Sequence, residues 1–280
     1  MKTIGFVDFY LSEWHANNYP NWIKQACEGM DEEFVVKYAW AEQYVSPVDG
    51  RNTDEWCAEF GVEKCETIEE VCEKADYILV LAPSNPETHL RYAEKVLTYK
   101  KNTYIDKTFA PDYATAKKMF DIAENYGTKF FTSSALRYAT ELEGWENPNA
   151  LLILGGGGNL DEYVIHQIEM LVKTMQAPAK RVRVEPQGDQ YVMRVEFVDG
   201  RVATMVFSMA FGYSLCFDKG GLDTKFVHVT SDTFKGLVKD MLRFYQTGEV
   251  SFDTAQTLEV MKIREAVLVG KTKPGEWVEL

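Results

Sequence analysis

The pair Asp106-Lys107 places a carboxylate and an ammonium group directly after the apolar run Tyr104-Ile105. A lysine at the end of a strand is usually just solvated. When it is desolvated, however, it can act as an acid or polarise a substrate hydroxyl group. The segment therefore predicts either an ordinary surface cation or a group that handles the proton of a hydroxyl compound.

A second stretch combines an imidazole with carboxylates at helical spacing. Glu162 and His166 are four residues apart, so they share one face of a helix, and Glu169 follows three residues later. A carboxylate and an imidazole so placed can hold a substrate and move a proton near neutral pH. The alternative is a charge pair on a helix surface. Four consecutive glycines, Gly155 to Gly158, precede this stretch.

A third segment, Ala82 to His89, ends one apolar run and opens a helical pattern. A turn of this kind presents backbone N–H groups to a ligand, particularly an anion at the N-terminus of the helix. The alternative interpretation is a well-capped helix without a ligand. In open α/β sheets, ligands bind beyond the carboxyl ends of the strands, and this is where the segment is predicted to lie.

The elements that must position these residues alternate between strand and helix in the first half of the chain. Predicted strands are Thr3 to Phe9, Phe34 to Ala41, Asp76 to Ala82, Asn102 to Asp106 and Thr128 to Ser133. Predicted helices are Asn21 to Glu28, Thr53 to Phe60, Thr67 to Lys74, Glu87 to Lys100 and Asp112 to Tyr126. Thr67 with Glu70 predicts a capping box, and Gly127 predicts a helix end. The alternation predicts an α/β fold, a Rossmann-like doubly wound parallel sheet.

The second half predicts an α+β domain with a mostly antiparallel sheet. An apolar run and the glycines lead to a helix from about Asp161 to Lys173, and two further helices, Thr233 to Thr247 and Asp253 to Gly270, close the chain. Between them the pattern predicts strands at Arg181 to Pro186, Tyr191 to Val198, Val202 to Met209, Tyr213 to Phe217 and Phe226 to Thr230. The polar stretch after Tyr138 predicts a domain boundary, with domains of residues 1–138 and 139–280.

Taken in order, these segments resemble the Gfo/Idh/MocA family of oxidoreductases, which act largely on sugars, polyols and related carbonyl compounds. The family's Pro-Asn-x-x-His-like turn is similar to Pro83 through His89, with one extra residue, and its Glu-Lys-Pro motif is similar to Asp106-Lys107-Thr108. Its Asp-x-x-x-His segment is similar to Glu162 through His166, with Asp161 as an alternative counterpart of the acid. The segment Ser133 through Tyr138 resembles the Arg-aromatic turn of the family.

The resemblance implies an NAD or NADP cofactor, a small-molecule substrate and a homo-oligomer, a dimer or tetramer formed through the C-terminal sheet. The catalytic residues that it implies are Lys107, His166, Glu162 and Asp161. The implied cofactor-binding residues are Gly5, Asp8, Tyr10, Pro83, Ser84, Asn85, His89 and Asp106. Arg137 and Glu169 are the implied substrate-binding residues.

The loop after the first predicted strand departs from the family pattern. Dinucleotide binding normally uses G-x-G-x-x-G, because glycine lets the backbone approach the pyrophosphate closely. Here Asp8 and Tyr10 stand where the two close glycines are expected. A carboxylate a few ångströms from a pyrophosphate costs on the order of several kcal/mol at an effective dielectric constant near 20. The loop therefore indicates an altered or lost mode of cofactor binding.

Composition limits the kinds of partner and compartment. The formal net charge of −13 disfavours nucleic acid, and no apolar stretch is long enough to cross a bilayer. The N-terminus carries no signal-peptide pattern, and the five cysteines form no Cys-x-x-Cys pair, so we expect a cytoplasmic protein without a metal site or disulfide framework.

Three hypotheses follow from these observations. The first is an NAD(P)-dependent oxidoreductase acting on a sugar, polyol or related hydroxy or carbonyl compound. The second is a non-redox relative that keeps the fold and uses the cleft as a small-molecule-binding or regulatory site. The third is an assembly protein whose C-terminal sheet pairs subunits, since strands such as Val202 to Met209 are hydrophobic.

Overall fold

A computed structural model describes residues 1–280 as two compact units. The first consists of Met1–Ser133 together with Leu237–Asp253, and the second of Ser134–Gly236 together with Thr254–Leu280. Two separate stretches of the chain therefore form the first unit. A domain boundary after residue 138 would separate two parts that each fold alone. The division into compact units does not test independent folding, so the boundary stays a prediction.

The first unit is a parallel sheet of six strands with helices between successive strands. In chain order the elements are β1 (Lys2–Asp8), α1 (Trp14–Ala26), β2 (Phe34–Ala41), α2 (Thr53–Phe60), β3 (Glu63–Lys64), α3 (Ile68–Lys74), β4 (Tyr77–Val80), α4 (Pro86–Val96), β5 (Thr103–Ile105), α5 (Tyr113–Tyr126) and β6 (Phe130–Phe131). The strand order is β3-β2-β1-β4-β5-β6, and every pairing is parallel. The predicted Rossmann-like doubly wound sheet is confirmed.

The central strands of this sheet are buried on both faces. Strand β1 reads Ile4 to Asp8 without an exposed position, and Ile78, Leu79 and Val80 of β4 are fully buried. Continuous burial is what a parallel sheet covered by helices on both faces requires. As a result, the carboxyl ends of β1, β4 and β5 lie side by side at one edge, which brings Asp8 and Asp106 to that edge.

Helix α1 begins seven residues earlier than the sequence pattern predicts, at Trp14 instead of Asn21. Pro20 lies inside the helix, although proline removes one helical hydrogen bond there. Two features outweigh that loss. The Glu13 side chain caps the N-terminus, and the face that carries Ala16 and Tyr19 is fully buried.

The second unit contains a mixed sheet of seven strands. Its elements in chain order are β7 (Ala150–Gly155), α6 (Leu160–Met175), β8 (Ala179–Gln187), β9 (Gln190–Phe197), β10 (Val202–Phe207), β11 (Ser214–Asp218), β12 (Thr224–His228), α7 (Thr233–Thr247), α8 (Ala255–Thr272) and β13 (Trp277–Glu279). Helix α7 continues into the first unit from Leu237. The strand order is β12-β11-β7-β10-β9-β8-β13, and only β7 and β10 pair in parallel. The predicted mostly antiparallel sheet is confirmed.

The strands that the sequence pattern misses are mostly short edge strands. β3 has two residues and β13 has three, too few to show an alternating pattern. The apolar run before the glycines forms β7, which alternates buried and half-buried side chains from Leu151 onward. One face of this sheet packs against α6 and α8, and the other face is partly exposed.

Candidate functional site

Asp8 ends β1 with a buried carboxylate. Its Oδ1 accepts hydrogen bonds from the backbone N–H of Phe9 at 2.7 Å and of Ala82 at 2.9 Å, which ties the end of β1 to the end of β4. Its Oδ2 is buried without a hydrogen-bond partner. Burial, and then the charge of Glu13, raise the pKa of Asp8 well above its ordinary value. This side chain therefore favours the uncharged acid.

Glu13 holds the N-terminus of α1 with its own carboxylate. Oε2 accepts the backbone N–H of His15 at 2.7 Å, and Oε1 accepts the backbone N–H of Ala16. Only 8% of the residue is exposed. Burial raises the pKa of Glu13, while the charge of His15 and the two hydrogen bonds act in the opposite direction. The chain thus supplies a carboxyl group of its own where the first helix of a Rossmann fold offers its free N–H groups.

His15 forms an ion pair with Asp106, through Nδ1 and Oδ2. Both side chains are buried, although His15 lies on α1 and Asp106 follows β5. Burial acts to raise the pKa of Asp106, but the charges of His15 and Lys107 outweigh it and hold that pKa below its ordinary value. Lys107 is half-buried and directly follows this carboxylate. The structure therefore places an ionised carboxylate next to the candidate lysine.

Gly5 and Tyr10, both predicted to bind cofactor, have different surroundings. A Cβ on Gly5 would lie 2.4 Å from Cγ1 of Val71, so this glycine allows β1 to approach α3. Tyr10 is half-buried, and its ring centroid is 5.9 Å from that of Phe9. The structure accounts for Gly5 by packing alone.

The predicted turn before α4 divides into exposed and buried residues. Ser84 is exposed, Asn85 is half-buried and Pro83 is buried. His89 is fully buried, and its ring nitrogens lie 2.9 Å from the Phe109 carbonyl oxygen and 2.6 Å from that of Leu81. Burial lowers the pKa of His89. The ring therefore links the end of β4 to the segment after β5. Both ring nitrogens make contacts within the protein.

The second unit has a separate polar cluster around α6. His166 Nδ1 and Ser134 Oγ share a hydrogen bond of 2.6 Å, and Ser134 Oγ also accepts the Leu136 N–H at 3.2 Å. If the serine hydroxyl donates to Nδ1, the neutral imidazole carries its proton on Nε2. His166 is half-buried. A serine that the sequence analysis did not assign to the site therefore orients the candidate histidine.

Arg137 and Glu169 form a buried ion pair beside this histidine's helix. Arg137 Nε donates to Glu169 Oε2 at 2.8 Å, and the Ser134 N–H donates to Oε1 of the same carboxylate at 3.2 Å. Arg137 also donates from Nη1 to the Gln256 side-chain oxygen at 2.8 Å. Glu169 therefore binds the turn at Ser134, the residue that also holds His166. Arg137 and Glu169 together fix the position of this turn.

Asp161 and Glu162 lie in the first turn of α6 with exposed side chains. Asp161 pairs with Lys271 at 2.7 Å, and the Glu162 N–H donates to the Asn159 side chain, which caps the helix. The helical spacing predicted for Glu162 and His166 is present, since both belong to α6. Their surroundings differ, because the acid faces solvent and the histidine is half-buried.

The four glycines allow close contacts that the sequence pattern does not reveal. A Cβ on Gly156 would lie 2.0 Å from the Ser208 carbonyl oxygen, and a Cβ on Gly157 would lie 2.1 Å from the ring of Tyr163. Tyr213 donates from its hydroxyl to the Gly156 carbonyl at 2.8 Å. The rings of Tyr163 and Tyr213 lie 5.8 Å and 6.0 Å from the His166 ring, so two aromatic side chains flank the imidazole.

None of the helices combines the length and the apolar composition needed to span a membrane. No group of three or more His, Cys, Asp or Glu side chains is arranged to hold a metal ion.

Comparison with known proteins gives a family match within the first unit. Residues 42–134 match the Gfo/Idh/MocA model, described as an oxidoreductase family with an NAD-binding Rossmann fold. This stretch contains the turn before α4 and the Asp106-Lys107 segment, so the resemblance found in the sequence is confirmed there. A comparison with curated protein sequences found no significant match.

Solved structures share the fold over the full length. A probable dehydrogenase from Thermotoga maritima is 15% identical, with a TM-score of 0.78 over 99% of this chain and 98% of that chain. Myo-inositol dehydrogenase from Lactobacillus casei, in complex with NAD(H) and myo-inositol, is 10% identical, with a TM-score of 0.79 over 100% and 96%. UDP-N-acetylglucosamine 3-dehydrogenase from Acidithiobacillus ferrooxidans is 14% identical, with a TM-score of 0.76 over 96% and 97%.

The N-terminus of α1 is the part of the structure that bears on whether this chain can bind a dinucleotide. Phosphate groups bind at such helix ends through backbone N–H groups. In this chain the N–H groups of His15 and Ala16 already hold an anion, the Glu13 carboxylate. The donors therefore suit an anionic group, and burial favours the uncharged form of Asp8 nearby. These residues fit a phosphate-bearing cofactor on the condition that the Glu13 side chain leaves both N–H groups.

Proposed function

We propose that this chain is an NAD(P)-dependent oxidoreductase acting on a sugar, polyol or related hydroxy or carbonyl compound. The observation that carries the proposal is the family match over residues 42–134, which includes Lys107 beside the ionised Asp106. Structures of the same fold in complex with NAD support it, among them the inositol dehydrogenase from Lactobacillus casei.

The cofactor site in this proposal lies at the carboxyl edge of the parallel sheet. The N–H groups of His15 and Ala16 would hold phosphate, and the turn from Pro83 to Asn85 would lie along the cofactor. When bound, the nicotinamide ring supplies the acceptor or donor of a hydride. His89 would act indirectly, because its ring fixes the ends of the segments that form this edge.

The protein's own part of the reaction is proton transfer. Oxidation of an alcohol releases the hydroxyl proton in addition to the hydride, and a side chain must accept that proton. We assign this role to Lys107 and His166. Against the effect of burial, the charges of His15 and Lys107 hold the pKa of Asp106 below its ordinary value, so an ionised carboxylate directly precedes Lys107 in the chain. Ser134 orients the imidazole of His166 through Nδ1, so Nε2 is the atom assigned to proton exchange.

The remaining predicted residues have binding and positioning roles in this proposal. Glu162 and Asp161 are exposed at the start of α6, where carboxylates can accept hydrogen bonds from substrate hydroxyl groups. Arg137 and Glu169 are buried and paired, so we assign them to positioning the turn that carries Ser134. Their effect on the substrate would then be transmitted through His166.

Kinetics on matched variants test the proposal. We expect one member of a panel of polyols and sugars to support reduction of NAD or NADP, followed by the absorbance of the reduced nicotinamide. Lys107→Met and His166→Ala should each lower kcat by about 10²- to 10⁴-fold, the usual contribution of a positioned acid or base. Lys117→Met is the control, because Lys117 is exposed on α5 and pairs only with Asp121. Full activity in both site variants would refute the assigned roles.

A second candidate function is a non-redox small-molecule-binding or regulatory protein. It is favoured by the two carboxylates, Asp8 and Glu13, that stand where a pyrophosphate would bind. This candidate predicts that a sugar or polyol raises the melting temperature, whereas NAD, NADH, NADP and NADPH do not. A saturable rise with any of the four dinucleotides would exclude it.

A further inference from the structure

The carboxylate of Glu13 occupies two N–H groups at the start of α1. Its Oε2 accepts the His15 N–H at 2.7 Å and its Oε1 accepts the Ala16 N–H. These contacts satisfy two of the four donors that an α-helix leaves open at its N-terminus. A carboxylate and a phosphate present the same kind of group there, an anion with several acceptor oxygens. The two cannot use the same N–H groups at the same time.

The surroundings of Glu13 disfavour its charge. The side chain is nearly fully buried, and the carboxyl groups of Asp8 and Asp106 act on it electrostatically. The charge of His15 acts on Glu13 in the opposite direction, and His15 is already paired with Asp106. The hydrogen bonds of Glu13 at the helix end therefore work against desolvation and like-charge repulsion, which limits how tightly this side chain is held.

Asp8 and Glu13 also differ in what their removal would disturb. The Asp8 carboxylate joins the ends of β1 and β4 through Phe9 and Ala82, so its position is part of the sheet. The Glu13 side chain accepts its hydrogen bonds from N–H groups of its own helix end, two and three residues ahead. Rotation of the Glu13 side chain exposes the helix N-terminus and breaks no contact between strands.

We propose that Glu13 is a built-in competitor for the phosphate of the cofactor, so that a dinucleotide binds only by displacing this side chain from the N-terminus of α1. The inference rests on the proposed function, since it assigns a regulatory residue to the same cofactor site. It predicts that the wild-type chain binds dinucleotide weakly and that loss of the Glu13 carboxylate strengthens binding.

The test compares Glu13→Ala and Glu13→Gln with a matched cap variant, Asp112→Ala. Asp112 caps α5 in the same unit by accepting the Thr115 N–H at 2.7 Å, so its removal also costs a helix cap but frees no N–H group on α1. Binding of NADH, NADPH and inorganic pyrophosphate is measured by isothermal titration calorimetry. Thermal melts without ligand check that each variant is folded.

We expect Glu13→Ala to bind a dinucleotide and pyrophosphate at least about tenfold more tightly than wild type, which corresponds to about 1.4 kcal/mol. Glu13→Gln should fall between them, because its amide oxygen still accepts hydrogen bonds but carries no charge. Asp112→Ala should bind as wild type does. Equal affinity of wild type and Glu13→Ala for every probe would overturn the proposal.

Two further outcomes separate this inference from the proposed function. Tighter pyrophosphate binding by Glu13→Ala, with no binding of either dinucleotide to any variant, would support the competitor role and refute the NAD(P)-dependent function. Tight NADH or NADPH binding by wild type that Glu13→Ala leaves unchanged would refute the competitor and support the function. The two results therefore distinguish failure of the competitor role from failure of the proposed function.

Discussion

At the residue scale, the first unit concentrates buried carboxyl groups at the carboxyl edge of its sheet. Asp8 and Asp106 are each 1% exposed, and they have opposite pKa shifts. Burial and the Glu13 charge raise the pKa of Asp8, whereas His15 and Lys107 lower that of Asp106 against the effect of burial. One carboxyl group therefore favours the acid and the other the anion, a separation that commonly accompanies functional sites.

The raised pKa of Asp8 gives stability a definite dependence on pH. A carboxyl group whose pKa is higher in the folded state binds its proton more tightly there, so its favourable contribution is present at low pH. It is lost as the pH rises from the unfolded value, about 3.9, through the folded value. Each unit of the shift corresponds to about 1.4 kcal/mol of unfolding free energy at higher pH.

Asp8→Asn is therefore expected to raise the melting temperature near pH 8 and to change it little near pH ~4, where the native acid is uncharged. The amide oxygen can still accept the Phe9 and Ala82 N–H groups. Asp76→Asn is the control of opposite sign, because the Asp76 carboxylate accepts two hydrogen bonds from Thr3. A lower melting temperature for Asp8→Asn across the whole pH range would contradict the prediction.

At the scale of elements, short polar and glycine segments decide where the helices that carry the site begin. Glu13 starts α1 and Asn159 starts α6, each by accepting backbone N–H groups with its side chain. The capping box predicted at α3 is half present. Thr67 accepts the Glu70 N–H, but the Glu70 carboxylate accepts the N–H of Glu66 instead of that of Thr67. The residue types therefore predict where this helix starts. The second hydrogen bond of the box differs, because its donor N–H lies one residue earlier in the chain than predicted.

The glycine run before α6 is expected to tolerate no side chain at Gly156. An added Cβ would lie 2.0 Å from the Ser208 carbonyl oxygen and 2.8 Å from that of Phe211, both backbone atoms that cannot rotate away. Gly156→Ala should lower the unfolding free energy by about 1–3 kcal/mol or more. Chemical denaturation measures this change.

Gly212→Ala is the matched control, since no atom lies within 4 Å of an added Cβ there. We expect its denaturation midpoint to stay near that of wild type. If Gly156→Ala were as stable as Gly212→Ala, the close approach of the two backbone segments would not limit the size of the residue before α6.

At the scale of the whole molecule, the seven-stranded sheet of the second unit has one partly exposed apolar face. The strand register places Phe226, Cys216, Leu152 and Thr204 in one row across β12, β11, β7 and β10. Phe226 is 58% exposed, whereas residues of the opposite face such as Ile153 and Met205 are fully buried. We propose that a second copy of the chain covers this row, in line with the homo-oligomer that the family resemblance implies.

Phe226→Glu is expected to lower the oligomeric state measured by sedimentation velocity, because it places a charge at the exposed end of this apolar row. Tyr126→Glu is the control, since Tyr126 is exposed on α5 of the other unit. A wild-type chain that sediments as a monomer at all concentrations would refute the proposed interface. Unchanged association of Phe226→Glu would place the contact elsewhere.

The sequence by itself determines the order and type of most elements in both units. The alternation of apolar strands and amphipathic helices predicts the parallel sheet, and the limits of β2, α2 and α7 agree with the predicted ones. Gly127 ends α5 in a left-handed conformation as predicted. These features depend on residues close together in the chain, whose periodicity and capping chemistry are visible without the fold.

Only the tertiary structure determines how the candidate site is built. His15 meets Asp106 and Ser134 meets His166, although each of these pairs is far apart in the sequence. The ring of His89 links the end of β4 to the segment after β5. Burial of Asp8 and Glu13 depends on the surrounding sheet and helices, so no local pattern predicts their pKa shifts. The sequence identifies the chemical groups, whereas tertiary packing determines which groups contact each other and which charge state each one favours.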